Sequence, residues 1–245
     1  MDIVYLTIDR GNTRTKAALW TPQGNMCAYG CFEGEVSPYA IIDSLRGANR
    51  YHVARAALCT VVRVGSSYLR QLGDLAPAVV VGAGHCEPLK IGYATPQTLG
   101  SDRVAAAAGA LAIAGKGPLL VADIGTAATF DYVDADGTFT GGNISAGMAM
   151  RLHALHDHTA ALPLVHECDG TAPLMGNDTR SALAIGALRG LAAELDYYKA
   201  HTGARAIVTG GAGAAVISAT ANPSDYTYDP YLVLRGIFSI LKHND

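Results

Sequence analysis

Short apolar runs separated by polar turns open the chain. Residues Ile3 to Ile8 form an apolar run of β type that meets Asp9-Arg10-Gly11-Asn12-Thr13, and Thr15 to Trp20 resumes a strand-like pattern. A turn at Thr21-Pro22-Gln23-Gly24-Asn25 leads to a third run, Met26 to Phe32. The same succession returns further on. It consists of an apolar run at Pro118 to Ala122, a turn at Asp123-Ile124-Gly125-Thr126-Ala127, a run from Thr129 to Val133, a turn at Asp134-Ala135-Asp136-Gly137 and a third run, Thr138 to Ile144. Asp9 and Asp123 lie 114 positions apart, as do Gly11 and Gly125, whereas Gly24 and Gly137 lie 113 apart. This spacing predicts two copies of one supersecondary unit, each followed by helical stretches such as Val104 to Ala114 and Ser181 to Lys199. The glycines and proline of Gly115-Lys116-Gly117-Pro118 end the alanine-rich helix. The expected division is therefore one lobe over residues 1–116 and another over 117–245.

Two strand-turn-strand-turn-strand units with crossover helices predict an α/β protein. The arrangement resembles the duplicated, ribonuclease H-like fold of actin, the 70-kDa heat-shock proteins and the sugar and acetate kinases. That resemblance implies two lobes, each with a mixed β-sheet flanked by helices, closing over a nucleotide. An unrelated α/β protein with two coincident Asp-Gly turns is the plainer alternative.

Composition narrows the classes. Half of the 245 residues are hydrophobic and 16% are charged, enough apolar material for a core in each lobe. A net charge of −3 gives no broad electrostatic footprint for nucleic acid or an anionic membrane surface. The longest uncharged apolar segment, Val104 to Gly115, falls short of the roughly 20 residues that span a bilayer. Met1-Asp2-Ile3-Val4-Tyr5 shows no basic stretch of a secretory signal, so the chain is expected to be cytoplasmic, with neither nucleic acid nor membrane as a partner. The five cysteines, at 27, 31, 59, 86 and 168, are odd in number and form no Cys-x-x-Cys pair, and they read as small buried hydrophobes. His153, His156, His158 and His166 cluster in sequence. Alternating neighbours do not share a helix face, however, and no cysteine or acid completes a set at the usual ligand spacing.

Four segments carry candidate chemistry. Asp9-Arg10-Gly11-Asn12-Thr13-Arg14-Thr15-Lys16 places a carboxylate, a glycine, hydroxyls and three cations at the end of a buried strand. Such a loop suits a polyphosphate: glycine admits close backbone approach, N–H groups and hydroxyls donate to phosphate oxygens, and Lys16 supplies a compact counter-charge. Asp9 would act through Mg²⁺, directly or by way of its waters. Read structurally, the same loop is a polar hairpin with a solvated basic edge. The second turn repeats the acid, glycine and hydroxyls but has Phe130 in place of the lysine; there Thr126 is a candidate phosphate contact and Asp123 a candidate cation ligand. Thr209-Gly210-Gly211-Ala212-Gly213 ends a strand in a turn where a base or ribose packs unobstructed. Finally, Gly92 to Arg103 runs into the Val104 helix. Ser101 or Asp102 is an ordinary N-cap there, or Asp102 accepts a proton from a substrate hydroxyl while Arg103 and Tyr93 position the molecule.

These blocks, taken in order, resemble the type III pantothenate kinases. The matching pieces are Asp9-x-Gly11-Asn12-Thr13-x-x-Lys16, Gly100-x-Asp102-Arg103, Asp123-x-Gly125-Thr126-Ala127-x-Thr129-x-Asp131 and Gly141-Gly142-x-Ile144-x-x-Gly147. Thr159-Ala160-x-Leu162-Pro163, Asn177-x-Thr179 and Thr209-Gly210-Gly211 complete the set. The resemblance implies transfer of the γ-phosphoryl group of ATP to the primary hydroxyl of pantothenate, the first step toward coenzyme A. It implies residues Asp9 to Lys16 and Thr126 as ATP contacts and Asp102 as proton acceptor. Tyr93, Gly100, Ser101, Asp102, Arg103 and Thr179 are implied as pantothenate contacts. It also implies Mg²⁺ with ATP, a monovalent cation (potassium or ammonium) at Asp123, and a homodimer. Two residues depart from the family pattern: Arg10 stands where an apolar residue is commoner, and Thr95 where asparagine often precedes the proline. The rival readings are another small-molecule kinase of the same fold, acting on a sugar or carboxylic acid, and a non-catalytic nucleotide-binding regulator.

Overall fold

A computed structural model describes residues 2–47, 51–166 and 173–244; Cys168 lies outside the described residues. The chain divides into two compact units, Met1–Gly115 with Tyr231–Asp245, and Lys116–Pro230. The first unit contains β1 (Asp2–Arg10), β2 (Arg14–Trp20), β3 (Met26–Glu33), α1 (Pro38–Arg46), β4 (Tyr51–Thr60), α2 (Ser66–Leu75), β5 (Ala78–Val80), β6 (Lys90–Ile91) and α3 (Ser101–Ala114). The second contains β7 (Leu119–Ile124), β8 (Ala127–Val133), β9 (Thr138–Ala146), α4 (Met148–Asp157), α5 (Thr179–Thr202), β10 (Arg205–Thr209), α6 (Gly213–Ser218) and β11 (Tyr226–Tyr228). The last helix, α7 (Leu232–His243), returns to the first unit. No helix among the described residues is long and apolar enough to cross a membrane.

The duplication is visible in the sheets. The first has the strand order β3-β2-β1-β4-β5, and within the second unit the order is β9-β8-β7-β10-β11. In both, the central strand pairs antiparallel with the next strand in sequence and parallel with the strand that follows a helical crossover. The three-strand pattern predicted twice from sequence is therefore formed twice, as a mixed sheet each time. Each central strand is nearly continuous in apolar residues because helices cover it, as expected of strands buried on both faces.

Alternation along β1 assigns its two faces. Val4, Leu6 and Ile8 join a core with Ile41, Ile42 and Leu45 of α1 and Tyr68 and Leu72 of α2. Tyr5 and Thr7 belong to the opposite face, where α7 packs: Phe238 lies 6.0 Å from the Tyr5 ring and stacks on Trp20 at 5.1 Å, and the Trp20 Nε1–H donates to Thr7 Oγ1 at 2.8 Å. In the second unit, Leu188, Leu191 and Leu195 of α5 cover Leu120, Ala122 and Val208.

The sequence reading puts residues 231–245 in the second lobe. Instead α7 lies on β1 and β4 with α3 against it, and Lys242 Nζ donates to Pro22 O at 3.1 Å. The reason is a matched pair of surfaces. α3 presents a run of alanines, Ala105 to Ala108, and then Gly109, which permits a second helix to approach at backbone distance. A Cβ placed on Gly236 would stand 1.7 Å from Ala105 O, and one on Gly109 would stand 2.2 Å from Leu232 O.

That crossing gives a stability test. Gly236→Ala forces the helices apart, and overpacking of this kind costs about 1–3 kcal/mol. Denaturant unfolding of the variant is expected to show a midpoint well below wild type. A midpoint equal to wild type would mean that α7 does not cross α3 at Gly236.

Candidate functional site

In the first unit the candidate residues collect where β1 and β4 end. Asp9, half-buried, pairs across the sheet with Lys16 on the antiparallel side and with Cys59 on the parallel side, so the three side chains share one face. Cys59 is fully buried, and its Sγ donates to Ser101 Oγ at 3.4 Å. Ser101 Oγ donates in turn to Thr60 O at 2.8 Å. This chain fastens the N-terminus of α3 to the end of β4. Burial pushes the Cys59 thiol well above its ordinary range, and the charges of Asp9 and Asp102 push it further. Both carboxylates therefore act on one thiol, although 93 positions separate them in sequence.

Asp102 sits in the first turn of α3, where its charge is favourable to the helix dipole. It is not the N-cap. That position is Gly100, which provides no side-chain cap, and Asp102 Oδ1 accepts from the Arg103 N–H at 2.9 Å. A Cβ on Gly100 would stand 2.5 Å from Asp102 Oδ1, so the glycine makes room for this carboxylate. Arg103 is buried, and its guanidinium lies over the Tyr93 ring at 5.6 Å, which joins two of the expected substrate contacts. Thr95 bonds Thr98 Oγ1 through its hydroxyl at 2.7 Å and accepts the Thr98 N–H at 3.0 Å, so it orders the turn ahead of α3. An open cleft of 620 Å³ is lined by Thr60, Val61, Val81, Leu99, Gly100 and Ser101 among others.

The loop between β1 and β2 is closed by the Gly11 N–H donating to Arg14 O at 3.0 Å, and it exposes Asn12, Thr13 and Arg14. Two residues expected among the nucleotide contacts are turned elsewhere. Thr15 is buried and donates its hydroxyl to Gly34 O at 2.7 Å. Arg10, 8% exposed, leaves β1 on the face opposite Asp9 and donates to Glu35 at 2.7 Å. Strand alternation is the physical cause in both cases, since Arg10 and Thr15 are cross-strand partners on the face of α1 and α2.

The second unit repeats the strand-end acid but shortens the turn by one residue. Asp9 pairs with Lys16, whereas Asp123 pairs with Thr129, and the Gly125 N–H donates to Ala127 O at 3.0 Å. Thr129, not the buried Phe130, thus occupies the spatial place of the lysine, and the change of spacing from 114 to 113 begins in this turn. The half-buried Asp123 has Thr209 beside it on the parallel side. Gly210, at φ +90°, is pressed so close that a Cβ there would stand 2.5 Å from Asp123 Oδ1 and 2.5 Å from Ile124 O. Gly147 meets the other side of the turn, where a Cβ would stand 2.2 Å from Gly125 O and 2.4 Å from Thr126 O. Thr126 is exposed at the tip. Thr179 is the exposed first residue of α5, whose cap is Asp178; Ser181 and Arg180 hydrogen bonds hold that carboxyl below its usual range.

Sequence reasoning missed Cys59, Glu35 and the Ser101–Thr60 tether. Cys59 carried a signal in its position at the end of a buried strand, but its neighbours follow only from the β1–β4 register. Among the described residues no three His, Cys, Asp or Glu side chains gather as a metal set. His156 Nδ1 lies 2.8 Å from Leu162 O.

Comparison with known proteins adds the family. Solved structures of similar shape include a Campylobacter jejuni protein named for the Baf family of transcriptional activators, 20% identical with a TM-score of 0.63 over 98% of both chains. A Sinorhizobium meliloti protein named as a 2-dehydro-3-deoxygalactonokinase is 14% identical with a TM-score of 0.63, over 98% of this chain and 99% of that one. The activator of 2-hydroxyisocaproyl-CoA dehydratase from Clostridium difficile, solved with bound ADPNP, is 10% identical with a TM-score of 0.56, over 98% of this chain and 95% of that one. These likenesses establish the actin-like ATPase fold. In sequence, the chain is 37% identical to a type III pantothenate kinase of Bacteroides fragilis over 98% of both proteins. It is 35% identical to that of Chlorobaculum parvum, over 98% of this chain and 95% of the relative. The family model for type III pantothenate kinase matches residues 5–201, and on these grounds, with the strand-end acids and their glycine turns in place, the chain belongs to the type III pantothenate kinase family.

Proposed function

We propose that this protein phosphorylates pantothenate with ATP through the groups gathered at the end of β1 and the start of α3. The supporting observation is that Asp9 is the cross-strand partner of Cys59, whose thiol donates to Ser101, the residue before Asp102. It puts a carboxylate of the polyphosphate loop and a carboxylate of the acceptor segment in one neighbourhood. Phosphoryl transfer asks for alignment and charge neutralisation more than for covalent chemistry from the protein. The pantothenate hydroxyl oxygen bonds to the γ-phosphorus as the bond to the β–γ bridging oxygen breaks, and the hydroxyl proton passes to Asp102. Lys16 and the backbone N–H groups of Asn12 and Thr13 at the loop tip offset phosphate charge. Arg103 and Tyr93 orient the acceptor, and Thr179 is a further pantothenate contact. The Gly100–Ser101 edge of the 620 Å³ cleft bounds the acceptor side.

A divalent ion fits Asp9, a strand-end carboxylate facing the loop, and when bound it supplies charge neutralisation on the phosphates. A monovalent cation fits the second unit. Its acid, Asp123, stands half-buried at the end of β7. The Thr129 and Thr209 positions flank the acid. Oxygen atoms with no lysine among them suit a weakly hydrated ion. A homodimer in the cytoplasm completes the reading, on the strength of the family likeness.

Three experiments test the assignments. Asp102→Asn is expected to lower the single-turnover rate by about 10²–10⁴-fold with ATP affinity nearly intact, as for a lost general base; a rate above about half of wild type would make Asp102 a structural acid. Asp9→Ala and Lys16→Ala are expected to lose the preference for ATP over ADP and AMP in a binding titration, and an unchanged preference would move the phosphate site elsewhere. In a salt series at constant ionic strength with choline as the inert ion, activity is expected to rise with potassium or ammonium and barely with sodium, and Asp123→Asn to blunt the response. Equal rates in all salts would leave Asp123 a turn-capping acid.

A further inference from the structure

The loop between β1 and β2 is fastened from behind. Gly34 N–H donates to Thr13 O at 3.0 Å, and Thr15 Oγ1 donates to Gly34 O at 2.7 Å, so the residue after β3 is bonded to the loop on both of its backbone polar groups. The next residue, Glu35, receives Arg10 Nη2 at 2.7 Å. Arg10 lies at the base of the same loop, with its guanidinium 5.4 Å from the centroid of the Tyr68 ring. Three fastenings thus join Gly34-Glu35 to residues 10–15, and the third is an ion pair.

As a source of stability that pair is a poor choice. Arg10 is 8% exposed, and its Nη1 is buried with no hydrogen-bond partner, as are the Tyr68 hydroxyl and Gln71 Oε1. A guanidinium taken out of water and left partly unsatisfied costs more than an aliphatic chain in the same space. Its partner Glu35 has a side chain 60% exposed, where an ion pair contributes little. What the pair does supply is direction: a charge-assisted bond between two defined points, the base of the loop and the segment clasped to its far side.

We propose that Arg10 and Glu35 are positioning residues that hold the loop at the height at which its N–H groups and Lys16 meet a polyphosphate. The inference rests on the reading of this loop as the phosphate site. Neither residue touches the nucleotide. Arg10 draws Glu35, and with it Gly34, against Thr13 and Thr15, and Thr15 is the residue before Lys16. Loosening the clasp leaves the fold intact and lets the loop ride away from the phosphates, so the cost falls on nucleotide affinity and not on the acceptor.

The test compares wild type with Arg10→Met, Arg10→Lys, Glu35→Gln, the Arg10→Met/Glu35→Gln double variant and Lys16→Ala. Calorimetric Kd for ATP, KM for pantothenate and Tm are read on each. Arg10→Met and Glu35→Gln are each expected to weaken ATP binding roughly 3- to 30-fold, which lies inside the range spanned by couplings between contacting residues. KM for pantothenate stays within about twofold of wild type, since uniform acceptor binding is untouched. Tm for Arg10→Met is equal to wild type or higher, Arg10→Lys recovers part of the affinity, and the double variant is no worse than the poorer single one. If ATP binding by Arg10→Met stays within about twofold of wild type while Lys16→Ala weakens it, the positioning role is overturned and the phosphate loop stands. Losses in ATP and pantothenate binding that track a falling Tm overturn it too, in favour of a structural ion pair. No effect of Lys16→Ala removes the loop reading and the inference together. Glu35→Gln, at an exposed site, reads the same pair if Arg10→Met does not fold.

Discussion

A methyl group at residue 236 would sit 1.7 Å from the carbonyl oxygen of Ala105, so α3 and α7 can cross as they do only with glycine at that point. The position of α3 depends on this. α7 lies against β1 and β4, and α3 lies against α7; the depth of the crossing sets where α3 begins. The Ser101–Thr60 hydrogen bond then pins its first turn to the end of β4. Asp102, the residue after Ser101, inherits its place near Cys59 from these two constraints, one of packing and one of polar satisfaction. The run of alanines in α3 belongs to the same device, because bulkier side chains would hold the helices apart and shift the carboxylate outward.

The two copies of the strand unit show how one frame serves two tasks. Strand order, pairing sense and the acid at the end of the central strand are common to both. The difference is one residue in the turn. With the longer turn, Lys16 falls opposite Asp9; with the shorter, Thr129 falls opposite Asp123 and the next residue, Phe130, enters the core. The equivalent strand position thus carries an ammonium in one copy and a hydroxyl in the other, beside turns that differ by one residue, and both flanking strands keep their alternation.

Most of this frame is legible in the sequence for a physical reason. The β-runs alternate or stay apolar over lengths that only covered strands tolerate, and each meets an Asp-x-Gly turn, so the repeat is written in the chain. The strand-end acids and Asp102 follow from motif and family likeness. What the sequence does not carry is register and facing. The eight residues Asp9 to Lys16 look alike as loop chemistry, yet strand alternation turns Arg10 and Thr15 toward α1 and α2 and leaves Asp9 and Lys16 on the other face. The Cys59 contacts depend on a parallel pairing across 50 positions, and the Gly236 crossing on two helices with 117 residues between them, beyond any local pattern. The same remoteness explains why residues 231–245 read as part of the second lobe.

The route of the chain also orders its making. Trp20, Tyr5 and Thr7 are synthesised early, but the ring that stacks on the indole, Phe238, leaves the ribosome only after all of Lys116–Pro230. Until then the face of the first sheet at β1 and β4, and the alanine surface of α3, lack the helix that packs on both. The second unit has no such debt, since its strands and helices lie within one continuous stretch. It can complete its core while the first still waits, so the half of the molecule made first is the half finished last.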